Sequence, residues 1–284
     1  MIRATSLAFA CSLLSFGALA AETYPARPIR IVVPQSPGAS TDLTARLIGL
    51  KLSEAFGQSV IIDNRPGAGS INGTEVVARA TPDGHTLLVV ASSFTINPSL
   101  QKNLPYDTVR DFAPITQVSR FPNLLAAHPA VPVTTLQDVI ALAKSKPGQL
   151  NYASAGVGTG THMSAELLKM MTGIDFVHIP FKGGGPAVIA IIGGQTQLIF
   201  GTTVGLLPHV RSGKLKGIAV TTAKRSAAAP EIPSFAEVGP ARLRPWTVER
   251  FFCAGQNTAG HRRQVECRDG ACVAERRGRP DFHQ

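Results

Sequence analysis

The sequence predicts an α/β fold of two lobes, with mostly parallel sheets flanked by helices and a cleft between the lobes. Short β-branched runs alternate with helical patterns along the chain, which is typical of parallel sheets. The succession of strand, small-residue loop and helix also occurs twice, around 29–56 and again around 150–173. Because ligands of open parallel sheets lie beyond the carboxyl ends of the strands, two such edges facing each other predict a cleft.

The first lobe is assigned to residues 21–123. Ile29–Val33 is a buried β-branched strand, and a helical pattern from Leu43 ends at Phe56, where Gly57 provides a C-cap. The further predicted elements are a strand at 59–63, a Gly-rich turn with a helix reaching Ala80, and a strand ending at Ser92-Ser93.

The second lobe is assigned to residues 124–221 and follows an extended segment at 115–127. Its predicted elements are a helix at 133–146 capped by Thr134 or Thr135, a short strand, a helix closed by Gly173, and two strands flanking a short helix. The segment LKGIAVTTAKR is predicted as a strand leaving this lobe, and 222–239 as a return to the first lobe.

Residues 1–20 have the pattern of a cleaved signal peptide. Arg3 supplies the positive charge, Leu7–Phe16 is mostly apolar, and Ala18-Leu19-Ala20 fits a cleavage site. The apolar run is too short to span a bilayer. We therefore expect an exported, periplasmic protein.

Charge and cysteine content exclude several classes of function. The net charge is +10, but residues 240–284 contribute nine Arg against five acidic residues, and the remaining basic residues form no run. Aromatic residues make up only 6%, so nucleic-acid binding is disfavoured and an anionic small ligand fits better. No cysteine lies between Ala21 and Gly239, which excludes a thiol nucleophile or a cysteine metal site there. We expect neither a cofactor nor a metal.

Two loops form the candidate site because each joins a strand to a helix start. Helix N-termini carry unpaired N–H groups and partial positive charge, so small residues there let an anion approach the backbone. The first loop contains Gly38, Ala39, Ser40 and Thr41, and the second runs from Ser154 to His162. The alternative is a purely structural role, in which these residues are ordinary helix caps and turns.

Catalytic and nucleotide interpretations find less support. No GxGxxG, GxxxxGK[ST] or GxSxG motif is present. Ser154 and His162 leave open a small exported hydrolase. His162 and Glu166, four residues apart on one helix, could hold a metal but have no third ligand nearby in the sequence. Lys182 could face an anion, although an exposed turn lysine is the simpler interpretation.

The chain contains, in this order, the segments IRIVVPQSPGASTDLTARL, INPSL, LNYASAGVGTGTHMSAELLKMMTG, IPFKGGGPAVIAIIGGQ and LPHVRSGKLKGIAVTTAKRS. Together they closely resemble the Bug family, the solute receptors associated with tripartite tricarboxylate transporters. The resemblance covers Tyr24 to about Gly239. It implies a periplasmic-binding-protein-like fold that holds a small carboxylate through backbone groups and water, without catalysis.

The resemblance and the loop argument together give a set of expected ligand-binding residues. They are Ser36, Gly38, Ala39, Ser40, Thr41, Asp42, Ser92, Ser93, Thr95, Ser154, Ala155, Gly156, Gly158, Thr159, His162, Thr202 and Thr203. Two positions depart from the family, which often has an acidic residue near Gly201 to Thr203 and commonly has Gly in place of Ala39.

These observations predict a periplasmic receptor that captures a small carboxylate for a membrane transporter or a sensor. The expected partners are that carboxylate and the transporter subunits or sensor, with no nucleic acid, and the protein is expected to be a monomer. A hydrolase and a protein-binding adaptor remain as alternatives. The sequence does not indicate which carboxylate is bound.

The C-terminal stretch departs from this pattern. From Pro240 to Gln284 the chain has no Lys, and it holds every cysteine that follows the signal peptide. This composition predicts that 240–284 results from a change of reading frame and lies outside the fold; the alternative is a genuine basic appendage that binds a partner. The first lobe would then lack part of its cover and expose an apolar face.

Overall fold

The alternating pattern of the sequence folds into strands and helices throughout the two lobes. The computed structural model describes residues 24–239, 246–255, 267–268 and 271–272. The strands are β1 Ile29–Val33, β2 Val60–Asn64, β3 Thr86–Val90, β4 Phe112–Ala127, β5 Asn151–Ser154, β6 Val177–Pro180, β7 Leu198–Thr202, β8 Lys216–Val220 and β9 Trp246–Ala254, followed by a small pair, β10 Cys267–Arg268 and β11 Ala271–Cys272. The helices are α1 Ser40–Phe56, α2 Ile71–Ala78, α3 Ser93–Leu100, α4 Leu136–Ser145, α5 Gly160–Thr172, α6 Gly184–Ile192, α7 Thr203–Arg211 and α8 Phe235–Val238.

The two lobes share one long strand. In lobe 1 the strand order is β2-β1-β3-β9-β4, and in lobe 2 it is β4-β7-β5-β6, with β8 also paired to β4. The outer strands pair in parallel, as β1 does with β2 and β3, and β5 with β6 and β7. Pairing around β4 and β9 is antiparallel. The 16 residues of β4 therefore cross from one lobe to the other.

The central strands of each sheet are buried on both faces, which is why strands such as β1 and β3 read as continuous apolar runs. In β1, Ile31 and Val33 pack with Ala45 and Leu52 of α1, whereas the intervening Val32 packs on the opposite face. Lobe 2 likewise has two apolar clusters, one on each side of its sheet. The predicted two-lobed α/β fold with sheets flanked by helices is confirmed.

Local signals placed several helix ends correctly. Gly57 and Gly173 close α1 and α5 in the left-handed conformation, with φ of 66° and 68°. Thr135 caps α4 and forms a capping box with Asp138. The sequence analysis missed α3 and α7. Both are short and contain a proline, Pro98 and Pro208, which masked their helical pattern.

The prediction that the fold ends at Pro240 is wrong for residues 246–254. These residues form β9, which lies between β3 and β4, so that Val89 pairs with Phe251 and Ala113 with Cys253. The alternation was overlooked because basic residues surround this stretch in the sequence. A change of reading frame downstream of Ala254 stays a prediction, and residues 256–266, 269–270 and 273–284 lie outside the described residues.

The segment 222–239 does not return to lobe 1 as expected. Ala229, Ile232 and Phe235 pack into the two apolar clusters of lobe 2, and β8 pairs with β4 within that lobe. The return is made by β9 instead. The physical reason is burial, because the apolar side chains that follow β8 fill the lobe 2 core.

Helix α1 carries an apolar outer face. Leu43, Leu47 and Leu50, spaced along one side of the helix, are 48%, 64% and 57% exposed, and Ile61 on edge strand β2 is also exposed. Among the described residues, α1 and β2 thus present an apolar surface on lobe 1, and its connection to a change of reading frame stays a prediction. The predicted signal peptide at 1–20 lies outside the described residues, and no helix among those described is long and apolar enough to cross a membrane.

Candidate binding site

A cavity of about 500 Å³ lies between the lobes, where the carboxyl ends of several strands meet. Four helices begin at its wall, namely α1 from lobe 1 and α5, α6 and α7 from lobe 2. Strand β7 and Thr247 of β9 complete the lining. The cavity therefore receives backbone N–H groups and the positive ends of helix dipoles from both lobes.

The four helix starts are of two kinds. Ala39 and Gly183 precede α1 and α6 and provide no side-chain cap. Within the described part of the chain, the N–H groups of Ser40, Gly184 and Gly185 have no hydrogen-bond acceptor. These donors are available to a bound anion.

The starts of α5 and α7 are capped by threonine. The hydroxyl of Thr159 accepts from the His162 N–H at 3.3 Å, and that of Thr202 accepts from the Gly205 N–H at 3.3 Å. The Thr159 hydroxyl also donates to the carbonyl of Gly156 at 2.6 Å. Each cap satisfies one helix donor and fixes the loop before it.

The first loop is held from behind by Asp42. Its carboxylate accepts from the Gly38 N–H at 2.9 Å, from Asn64 at 2.9 Å and from Arg46 at 3.0 Å, and the side chain is only 2% exposed. Burial raises the pKa of Asp42, but the hydrogen bonds from Arg46, Gly38 and Asn64 outweigh it, so the pKa lies below its ordinary value. Asp42 positions the loop and does not line the cavity.

A buried polar cluster lies beneath the start of α1. The hydroxyl of Thr41 lies 3.0 Å from Oε1 of Gln35 and 3.1 Å from Oε1 of Glu249. The other oxygen of Glu249 accepts from the Ser119 hydroxyl at 2.6 Å. Because Oε1 of Gln35 faces Thr41, the amide N–H groups of this buried side chain are the donors left for the cavity, which Gln35 lines.

The second loop is held by a stack of aromatic rings. The His178 ring lies parallel to those of His162 and Tyr152, with centroids 4.2 Å and 4.8 Å away, and its Nε2 lies 2.6 Å from the hydroxyl of Ser154. Burial lowers the pKa of His178 to about 4, and the neighbouring His162 adds to this effect. The pKa of His162 is also lowered, mainly by burial. Burial therefore favours the neutral form of both rings.

This geometry does not support the hydrolase alternative. Ser154 is fully buried and does not line the cavity, and its histidine partner is His178, not His162. A buried hydroxyl cannot reach a substrate carbonyl. A metal site also finds little support. Nε2 of His162 lies 4.0 Å from Oε1 of Glu166, and no group of three or more suitable ligands occurs among the residues that the structure describes.

Seven of the expected binding residues line the cavity. They are Ser36, Gly38, Ala39, Ser40, Ala155, Thr159 and Thr202.

The other ten have different surroundings. Six of them form hydrogen bonds that support the two loops on the side away from the cavity: Thr41, Asp42, Ser154, Gly156, Gly158 and His162. Gly156 also lines a second cavity. Ser93 is buried against Ser70, while Ser92 and Thr95 line a separate small cavity with Arg250. Thr203 borders a depression on the outer side of α7.

The sequence analysis missed the contribution of α6. Gly184, Gly185 and Pro186 open this helix at the cavity, yet GGGP was read only as a turn. The apolar run VIAII soon after the glycines could have indicated this contribution, because it predicts a helix that starts at a third strand and loop. Gln35 and Thr247 were also missed.

The lobes touch each other beside the cavity. The Ser36 hydroxyl and N–H both donate to the carbonyl of Lys182, at 2.6 Å and 3.2 Å. A Cβ atom on Gly69 would lie 2.5 Å from the carbonyl oxygen of Val157 in the other lobe. Lys182 thus takes part through its backbone, and glycine permits close approach of the two lobes.

One side of the cavity is apolar. Its wall is formed by Val188, Ile189 and Ile192 of α6, Ile199 and Phe200 of β7, and Leu206 of α7. None of the described lining residues is Asp, Glu, Lys or Arg, and His209 is the one ionisable side chain among them. Any negative charge bound here would meet backbone dipoles and neutral donors.

Comparison with known proteins supplies the family. Residues 44–254 match the sequence pattern of the tripartite tricarboxylate transporter family receptors. The protein BugT of Bordetella pertussis is 37% identical over 223 residues, which cover 78% of this chain and 68% of BugT.

Two similar solved structures come from Rhodopseudomonas palustris. One, solved with adipate, has a TM-score of 0.82 at 32% identity and covers 84% of this chain and 81% of its own. The other, MatC with bound malate, has a TM-score of 0.80 at 30% identity and covers 84% and 82%.

Proposed function

The chain belongs to the tripartite tricarboxylate transporter family receptors, and on this premise we propose that it captures a small carboxylate in the cavity between its lobes. The observation that carries the proposal is the convergence of four helix starts on one cavity, two of them without a side-chain cap. The adipate and malate in the two similar structures support the same ligand class.

The physical basis is a backbone cradle. A carboxylate at the cavity would accept hydrogen bonds from the N–H groups that begin α1 and α6, and each of these bonds is charge-assisted. The amide of Gln35 adds a side-chain donor from the same lobe as α1. Of the expected binding residues, the seven that line the cavity are the ones we propose to contact the ligand.

Binding is proposed to draw the lobes together. Strands β4 and β9 connect them, and the contact between Ser36 and Lys182 joins their facing loops. A ligand held by N–H groups of both lobes favours the closed state over an open one. Scattering profiles with and without ligand should show a smaller radius for the bound form, and identical profiles at saturation would argue against closure.

A thermal-shift screen against carboxylates tests the function. At a ligand concentration of 100 times Kd, binding adds about 2.7 kcal/mol of apparent stability. The ligand should be recovered unchanged, since turnover would indicate an enzyme. No shift with any carboxylate would favour a protein-binding adaptor and overturn the proposal.

Gly38 and Gly57 offer a matched pair of variants on opposite ends of α1. Both have positive φ, 79° and 66°, and a Cβ on either meets no protein atom within 4 Å, but only Gly38 lines the cavity. Ala at either site carries a similar backbone cost of about 1–2 kcal/mol. Gly38→Ala should weaken carboxylate binding at least tenfold, while Gly57→Ala leaves Kd unchanged. Equal Kd values for the two variants would contradict the backbone cradle.

We further propose that the protein works in the periplasm and delivers its ligand, as a monomer, to membrane subunits of a transporter. Fusion of the first 30 residues to a reporter should direct export, and removal of 1–20 should abolish it. Capture of a transporter subunit by the ligand-loaded protein, and not by the ligand-free protein, would support delivery.

A further inference from the structure

We propose that the ligand is a carboxylic acid with an apolar body and no ammonium group, and that its body lies in the groove between α6 and α7. This inference rests on the proposed function and specifies the substrate class of the same site. It follows from what lines the apolar side of the cavity.

The first argument is the apolar wall. Val188, Ile189 and Ile192 face the cavity from α6, and Leu206 faces it from α7. Ile189 is 73% exposed although it belongs to the cavity lining. A ligand with an apolar body would cover this side chain, and covering apolar surface favours binding.

The second argument is the absence of a counter-charge. An α-ammonium group in a closed cavity needs an anionic or strongly accepting partner to replace its water. No Asp or Glu occurs among the described residues that line the cavity. The two buried carboxylates at the start of α1 do not line the cavity: Asp42 accepts from Arg46 and the Gly38 N–H, and Glu249 accepts from the hydroxyls of Thr41 and Ser119. Amino acids are therefore disfavoured.

The third argument concerns polar bodies. The apolar side provides few side-chain partners, because the hydroxyl of Thr247 donates to Asn123 at 2.8 Å and that of Thr202, which accepts from the Gly205 N–H, has only its own proton left to donate. Several hydroxyl groups or additional carboxylates on the ligand body would lose more hydrogen bonds to water than they gain here. Hydroxylated tricarboxylates are disfavoured for this reason.

The groove also sets an approximate length. From its start at the polar end to Ile192, α6 rises about 12 Å. His209 lies on α7, one turn after Gly205, and also lines the cavity. A body of several carbon atoms would fill the space between the helix starts and His209.

A homologous series of straight-chain acids tests the inference. Affinities for acetate, butanoate, hexanoate and octanoate, measured by calorimetry, should rise by up to about fourfold per methylene, the factor expected for burying one CH₂. Glutamate and citrate should bind at least tenfold more weakly than the best member of the series.

A pair of variants locates the effect. Ile189→Gln should flatten the rise in affinity along the series, because it replaces an exposed apolar wall residue with a polar one. Leu47→Gln, at a position of similar exposure (64% against 73%) on the outer face of α1, should leave the series unchanged. Both positions are exposed, so both variants are expected to fold, and their melting curves check this.

The outcomes separate the two proposals. A flat series together with tighter binding of glutamate, malate or citrate would overturn the inference and leave the carboxylate receptor standing. A rising series that Ile189→Gln does not alter would also overturn the placement of the body along α6. If none of the acids binds, the proposed function itself fails.

Discussion

The helix starts at the cavity fall into two pairs that differ in how their N–H groups are satisfied. Ala39 and Gly183 give α1 and α6 no side-chain cap, whereas Thr159 and Thr202 cap α5 and α7. A missing cap costs a helix about 1 kcal/mol. We propose from this difference that the uncapped starts keep backbone donors for the ligand, while the capped starts form a fixed wall that contacts it through Thr159 and Thr202.

The largest expected effect comes from giving α1 a cap of its own. Ala39→Asp would place a carboxylate over the free N–H groups, so it should stabilise the helix and reduce carboxylate affinity at least a hundredfold, about 2.7 kcal/mol. Ala39→Ser should reduce affinity less, because its cap is neutral. Calorimetry and melting curves measure both quantities. Unchanged carboxylate affinity in Ala39→Asp would contradict the proposal that the uncapped helix starts bind the ligand.

The converse change should act mainly on stability. Thr159→Ala removes the cap of α5 and the hydrogen bond to Gly156, and we expect a loss of about 1–2 kcal/mol in the free energy of unfolding. Urea denaturation measures this loss. An affinity loss as large as that of Ala39→Asp would show that the capped starts bind the ligand equally well.

A smaller effect is expected from acidification, and it should originate in lobe 2. The pKa of His178 is lowered from 6.5 to about 4, so the unfolded chain takes up a proton at this residue before the folded protein does. The contribution of His178 to the free energy of unfolding is therefore fully present above pH 6.5 and declines as the pH falls towards 4. His178→Gln does not titrate and should lose less stability over this range. A variant with the same pH dependence as the wild type would contradict the assignment.

The smallest effect is expected at Lys182. Its carbonyl, not its ammonium group, accepts from Ser36, so Lys182→Ala should change unfolding free energy by less than about 0.5 kcal/mol and Kd by little. Binding titrations at low and high salt measure this. A large, salt-sensitive loss of affinity would show that the lysine charge attracts the ligand. The uncapped helix starts would then contribute less to the affinity than proposed.

The sequence predicted the fold better than the site. Strand β1 and the glycine ends of α1 and α5 depend on local patterns, and each was located within a few residues. The contributions of Gln35 and Thr247 could not be found this way, because the cavity is formed by chain segments that meet only in the folded protein. Ser92 and Thr95 were misplaced for the same reason, since α3 starts directly after β3 and turns them away.

Within the loops, the residue types predicted which side chains form hydrogen bonds, but not whether those side chains face the ligand. Asp42 and Thr41 were expected to face the ligand, yet their side chains bond to Arg46 and Glu249 behind the loop. A helix start can use such residues for the ligand or for its own support, and only tertiary contacts decide which. Neighbouring small residues gave the better guide, because Gly38 and Ala39 both line the cavity.

The position of β9 also governs how the protein can be made. The strand fills the middle of the lobe 1 sheet, pairing Leu87 with Cys253 on one side and Arg120 with Val248 on the other. Until residues 246–254 have left the ribosome, β3 has no partner on that side, and the growing chain carries an open, aggregation-prone strand edge. Such distant pairing is slow to form. The strand that completes the described lobe 1 sheet is therefore synthesised after all of the described strands of lobe 2.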